Sequence, residues 1–260
     1  MKVRPKISNY DTMIKETQAV HSDKVVHKAN TRGSADHGWL KVNHSFSFAQ
    51  WYNPEKVNFG ALRVLNDDSI AADKGFGTHP HDNMEIITIP LSGELAHKDS
   101  MGNASTIKAG EIQVMSAGQG ILHSEFNPSK THSTSLFQIW IFPNKKNVQP
   151  RYDQFWMDVE GMKDNFLQLV SPDPNDEGAW IHQNAWIKMA KFAAGKSINY
   201  NLNSPENGVY TMIIDGKVKV EGESLGKRDA IGVWNKESIE FEALEDTHLL
   251  TIEVPMEFNI

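Results

Sequence analysis

From about Val25 onward the chain never sustains a helical period. It breaks into short runs rich in Val, Ile, Phe and Trp, separated by Gly, Asn, Asp and Pro, with spacings of roughly 8 to 15 residues. That spacing accommodates strands joined by turns and little else, so the chain is confined to an all-β sandwich or barrel architecture. Strands are predicted over 85–91, 94–98, 112–115, 136–142, 210–214, 217–221, 231–234, 239–243 and 248–254. Residues 1–24 carry only weak periodicity and read as an N-terminal extension.

The pattern occurs twice. Ile86-Ile87-Thr88-Ile89-Pro90-Leu91-Ser92-Gly93-Glu94-Leu95 precedes Ile107-Lys108-Ala109-Gly110-Glu111-Ile112, and Tyr210-Thr211-Met212-Ile213-Ile214-Asp215-Gly216-Lys217-Val218 precedes Gly226-Lys227-Arg228-Asp229-Ala230-Ile231. Both read as strand, glycine turn, strand, turn, strand, which predicts two similar units. Between them the segment 143–176 holds Pro143, Pro150, Pro172 and Pro174 with little alternation, and is expected to be a crossover. The expected division is therefore 25–150 and 151–260, and 260 residues are enough for two units of about 120 residues each.

Composition removes several function classes. The formal charge is −7 with Lys and Arg scattered, so there is no basic footprint for direct nucleic-acid binding. No cysteine is present, which excludes disulfides, thiolate ligands and Cys nucleophiles. No leader-like apolar segment opens the chain and no run approaches about 18 apolar residues. The expectation is a cytoplasmic protein without membrane association.

Within the first unit, His79-Pro80-His81 and His123-Ser124-Glu125 each place two metal-ligating side chains at i and i+2, on one face of a strand. Ala117-Gly118-Gln119-Gly120 before the second piece lets the backbone turn tightly. Three imidazoles and one carboxylate converging on a point would hold a divalent first-row metal ion with open coordination positions. The competing reading is a Glu125–histidine ion pair on an exposed sheet face. The second unit lacks the pattern. Leu202, Asn203 and Ser204 stand where His79 would fall, and Phe241, Glu242 and Ala243 where His123 and Glu125 would.

These motifs, in order, resemble the pirin family of bicupins. The resemblance rests on Gly77-Thr78-His79-Pro80-His81, Glu85, Glu94 to Asp99 with Ser100-Met101-Gly102-Asn103, and Gly110-Glu111. The run from Met115 through Ala117-Gly118-Gln119-Gly120-Ile121-Leu122 to His123-Ser124-Glu125 completes the ordered core. It extends upstream through Arg32-Gly33, His37-Gly38-Trp39-Leu40 and His44-Ser45-Phe46-Ser47-Phe48, and downstream through Gln138-Ile139-Trp140-Ile141. The members it resembles most are the bacterial pirin-like quercetin 2,3-dioxygenases. The resemblance implies two cupin barrels facing each other, with a metal only in the N-terminal one, held by His79, His81, His123 and Glu125. The implied ion is Fe(II), with Mn, Ni, Co, Cu or Zn as alternatives.

The implied activity is oxidative opening of a flavonol-like aromatic substrate by dioxygen, with Glu125 as the group that takes the substrate's hydroxyl proton. The alternative role implied by the family is a metal-dependent redox sensor that partners transcription factors or metabolic enzymes. Glu85 stands where many other cupins place a ligand carboxylate, but the pirin pattern assigns that role to Glu125, so Glu85 is expected to pair with a nearby base or steady a ligand histidine. His97 and His44 are expected on sheet faces more than in the pocket, and His182 and His248 in structural roles. The seven tryptophans and the Phe46, Phe48, Trp51 cluster are expected mainly in the cores, with some able to line an aromatic pocket.

Overall fold

The structure, a computed structural model, describes residues 23–258; the expected extension falls outside the described residues except for its last two positions. β-Branched and aromatic runs form strands almost where their alternation places them. Glu94–Asp99, Lys217–Val220 and Ala230–Trp234 each lie within one residue of expectation at either end.

Each half is a seven-stranded sheet facing a four-stranded one. The larger sheet of the first half runs, by residue range, 151–156, 111–116, 85–92, 134–141, 62–70, 40–44, 33–36, and its small sheet 75–81, 121–126, 94–99, 104–108. The second half repeats this plan, with a small sheet in the order 197–201, 238–243, 217–220, 223–226. These are jelly-roll cupin domains whose sheets are not hydrogen-bonded into a closed barrel.

The sheets do not divide at residue 150. Strand Lys24–His27 pairs with Ala230–Trp234 in the second half's sheet, and strand Arg151–Trp156 pairs with Glu111–Ser116 in the first's. Each half thus lends a strand to the other. The segment expected as a plain crossover holds strands Arg151–Trp156 and Phe166–Ser171, which its prolines and weak alternation concealed.

Alternate residues of the two large sheets meet in one shared core, where Leu65, Ile87, Ile139 and Phe137 join Ile187, Tyr210, Met212 and Ile252. Because successive side chains take opposite faces, the other residues of the same strands line each half's interior. In the second half that interior holds one large apolar cluster, with Tyr200, Val218, Val220, Ile239, Phe241 and Ala243 buried together. In the first half the apolar lining splits into two small clusters, one around Leu40, Ile70 and Leu95 and another around Ile86, Met115 and Ile121. The gap between them is filled with polar side chains.

Candidate metal centre and cavity

Strand Gly75–His81 lies antiparallel to Ile121–Phe126, and His123 sits directly opposite His79. The i, i+2 spacing turns His81 to the same face, so three rings meet. Their centroids are 4.4 Å apart for His79 and His123, 4.8 Å for His81 and His123, and 4.9 Å for His79 and His81. One ring nitrogen from each lies within 4.8 Å of the others. The strands approach this closely because position 75 is glycine. A Cβ there would stand 2.2 Å from the Glu125 carbonyl oxygen, a separation no side chain tolerates.

Several features suit these imidazoles to ligation. Burial, reinforced by neighbouring His79, pushes His81 down to about 4, and burial followed by the surrounding histidines pushes His123 down to about 3. Both rings are therefore neutral at physiological pH, with lone pairs available. His79 Nδ1 lies 2.8 Å from the Gly77 carbonyl oxygen, which makes Nδ1 the protonated nitrogen and frees Nε2. His123 is 1% exposed, and neither of its ring nitrogens has a hydrogen-bond partner among the described residues. Buried nitrogens without partners are costly, and a divalent ion would satisfy one here. Imidazole and carboxylate donors fit a first-row divalent metal.

Glu125 follows on the same face of its strand and is buried, which rules out the exposed ion-pair reading. Gln138 Nε2 donates to both carboxylate oxygens at 3.3 Å, and Gln138 is itself oriented by Thr88 Oγ1, 3.0 Å from Gln138 Oε1. Burial raises the Glu125 carboxyl to about 7 against the pull of these hydrogen bonds. The register shifts between His123 and Glu125 along Gly75–His81. The candidate ligands form two overlapping sets, neither of which holds all four expected residues. His79, His81 and His123 make one, His97, His123 and Glu125 the other, and His123 belongs to both.

His97 is therefore inside the domain, contrary to the sheet-face expectation. It stands opposite Glu125 across the ladder, its ring lies 5.3 Å from His123 and stacks on Tyr152, and Asp99 holds its Nε2 at 3.2 Å. Its alternation with buried Leu95 and Asp99 was the available signal. His44 also belongs to the site and lines the cavity below. Glu85 faces the other way, accepting a hydrogen bond from Ser116 Oγ at 2.7 Å near Arg151. His182 packs edge-on against Trp180, and His248 is half-buried on Thr247–Pro255 with its buried Nε2 unpartnered among the described residues.

A cavity of about 860 Å³ opens onto this cluster, within the usual size range of small-molecule sites. His79, His81, Glu125 and Gln138 contribute polar groups, and Trp39, Phe48, Trp51, Phe76 and Trp140 supply aromatic wall. Phe46 is not part of it, being packed in the shared core against His27 and Tyr210.

By sheet register the second half's counterparts differ slightly from those expected. Val220 stands four residues past Gly216 as His97 does past Gly93, and Phe241 pairs with Val220 as Glu125 pairs with His97. Phe241 is thus the counterpart of Glu125, and Ile239, two residues earlier, that of His123. Apolar side chains occupy the space that the first half gives to ligands.

Two jelly-roll domains, one enclosing a histidine cluster beneath an aromatic cavity and the other filled at the matching positions by apolar side chains, define a two-domain cupin protein. The family model for Pirin matches residues 25–141, and that for the Quercetinase C-terminal cupin domain matches residues 168–254. Quercetin 2,3-dioxygenase of Escherichia coli (strain K12) is 42% identical over 230 residues, covering 88% of this chain and 97% of that protein. The chain belongs to the pirin family. The solved structure of YhhW from Escherichia coli matches with a TM-score of 0.86 at 39% identity, covering 91% of this chain and all of that one. Bacterial pirin YhhW in complex with nickel(II) matches with a TM-score of 0.84, covering 89% of this chain and 99% of that one, also at 39% identity. No helix among the described residues is long and apolar enough to cross a membrane.

Proposed function

We propose that the chain is a dioxygenase that opens the ring of a flavonol-like phenol, as the name of its Escherichia coli relative implies. In this reading His79, His81, His123 and Glu125 hold one divalent metal ion, which we assign as Fe(II), with Mn, Ni, Co, Cu or Zn able to take the same donors. The relative solved with nickel(II) supports a divalent ion of this kind. When bound, the ion supplies Lewis acidity that lowers the pKa of a hydroxyl beside it and a centre at which dioxygen can react.

The observation that carries the reading is the cavity. An aromatic chamber of about 860 Å³ that reaches His79, His81 and the buried Glu125 carboxylate is built to receive a flat ligand, whereas a redox sensor needs no such space. The chain's own groups divide the work. Trp39, Phe48, Trp51, Phe76 and Trp140 exclude water and stack on the substrate. His81 and His123, held neutral by burial, present lone pairs without needing to lose protons, and the contact of His79 Nδ1 with the Gly77 carbonyl leaves its Nε2 free. Glu125, steered by Gln138, accepts the substrate's hydroxyl proton.

The test is turnover of quercetin under air by protein loaded in turn with iron, manganese, nickel, cobalt and copper. Loss of the flavonol absorbance with stoichiometric dioxygen uptake is expected with at least one metal. An unchanged spectrum with all of them would defeat the enzymatic reading.

A further inference from the structure

A row of polar side chains crosses the large sheet of the first half. Gln138 stands directly opposite Thr88 on one side and Asn66 on the other, and Asn66 stands opposite His44. Gln138 and Thr88 are occupied in holding Glu125. His44 and Asn66 hold only each other, with His44 Nδ1 2.8 Å from Asn66 Oδ1, and both residues are buried. An oxygen in that position makes Nδ1 the protonated nitrogen, so Nε2 carries a free lone pair. Among the described residues neither Nε2 of His44 nor the Asn66 amide Nδ2 makes a hydrogen bond.

Asp68 follows Asn66 at i+2 on the same face, and its Oδ1 is buried without a partner among the described residues. All three residues line the cavity. The buried Asp68 oxygen is costly without a partner, and the free His44 acceptor and Asn66 donor beside it leave polar groups turned to the cavity for a ligand to meet. Phe48 and Trp51 flank the His44 ring at 5.3 and 6.4 Å between centroids, the latter nearly parallel, so what reaches His44 does so between aromatic faces. The strand of His44 lies two strand spacings from that of Gln138, roughly 10 Å.

We propose that His44 and Asn66, with Asp68 beside them, form a second polar subsite that binds a hydroxyl on the ring of an aromatic ligand remote from the ring presented to the histidine cluster. His44 Nε2 accepts the hydroxyl's hydrogen while Asn66 Nδ2 donates to its oxygen. The subsite makes the cavity selective for polyhydroxylated multi-ring phenols, an inference that rests on the flavonol reading for the kind of ligand but not for its turnover.

The test compares quercetin with the flavonol that lacks hydroxyls on the pendant ring, measuring Kd by tryptophan quenching without dioxygen and KM and kcat in air. Wild-type protein is expected to bind quercetin about tenfold more tightly, the worth of one to two hydrogen bonds, with the difference appearing in KM. His44→Phe and Asn66→Leu should each reduce the ratio to within about twofold, since the interaction counted above is then missing. Equal Kd values in wild-type protein would overturn the subsite without recourse to any variant, as would a ratio preserved in both folded variants. Discriminating binding with no consumption of either flavonol leaves the subsite standing and defeats the dioxygenase reading. Consumption of both at equal KM does the reverse. Failure of both flavonols to bind defeats both.

Discussion

His27 sits on the strand that the N-terminal end lends to the second half's sheet, and its ring packs against residues of both halves. It is 5% exposed, its Nδ1 lies 2.9 Å from Tyr210 Oη, and its ring packs on Phe46 and Tyr210. Burial, aided by the positive charge of Lys56, pushes its pKa down from 6.5 to about 4. A depressed pKa means that the unfolded chain binds the proton more readily than the folded one. The corresponding stability is present above pH 6.5 and is lost as pH falls towards 4. One proton released on folding gives a slope near 1.4 kcal/mol per pH unit inside that window. Between pH 7.5 and pH 5 this amounts to about 2 kcal/mol from His27 alone.

Replacing His27→Gln removes the titration. The variant should be less stable at pH 7.5, having lost ring packing against Phe46, but its stability should fall by about 2 kcal/mol less than wild type on going to pH 5. Urea denaturation of metal-free protein at the two pH values, followed by tryptophan fluorescence, gives the difference directly. Parallel losses in wild type and variant would refute the assignment of acid sensitivity to this buried imidazole.

Two further perturbations probe what positions the site. Gly75→Ala places a methyl against the backbone of the strand carrying His123 and Glu125. It should weaken divalent-metal affinity roughly tenfold or more, as misplacing a ligand's support does, and isothermal titration with nickel(II) reads this. Phe241→Ala, at the second half's counterpart of Glu125, should cost about 3–5 kcal/mol of stability through the cavity it leaves while leaving metal stoichiometry unchanged. Chemical denaturation and elemental analysis check the two parts separately.

Much of this was legible in the sequence because strand alternation carries it. The pairs His79/His81 and His123/Glu125 announce their faces by two-residue spacing, and the turn glycines Gly93 and Gly216 mark matching hairpins. What stayed hidden depends on pairing between distant strands. Lys24–His27 and Arg151–Trp156 are ordinary short strands, and nothing local reveals that each joins the other half's sheet. The polar row from Thr88 through Gln138 and Asn66 to His44 exists only through register, since its members come from four strands of the same sheet. His97 was ambiguous for a related reason. Alternation showed it sharing a face with Leu95, but which face turned inward was decided by the neighbouring strand carrying Glu125.

The most direct test of the account is anomalous diffraction from crystals of this protein grown with nickel(II). One strong peak per chain is expected, bonded by ring nitrogens of His79, His81 and His123 and by a Glu125 carboxylate oxygen. A peak held instead by His97, His123 and Glu125 with His79 and His81 turned away, or none inside the first domain, would contradict it.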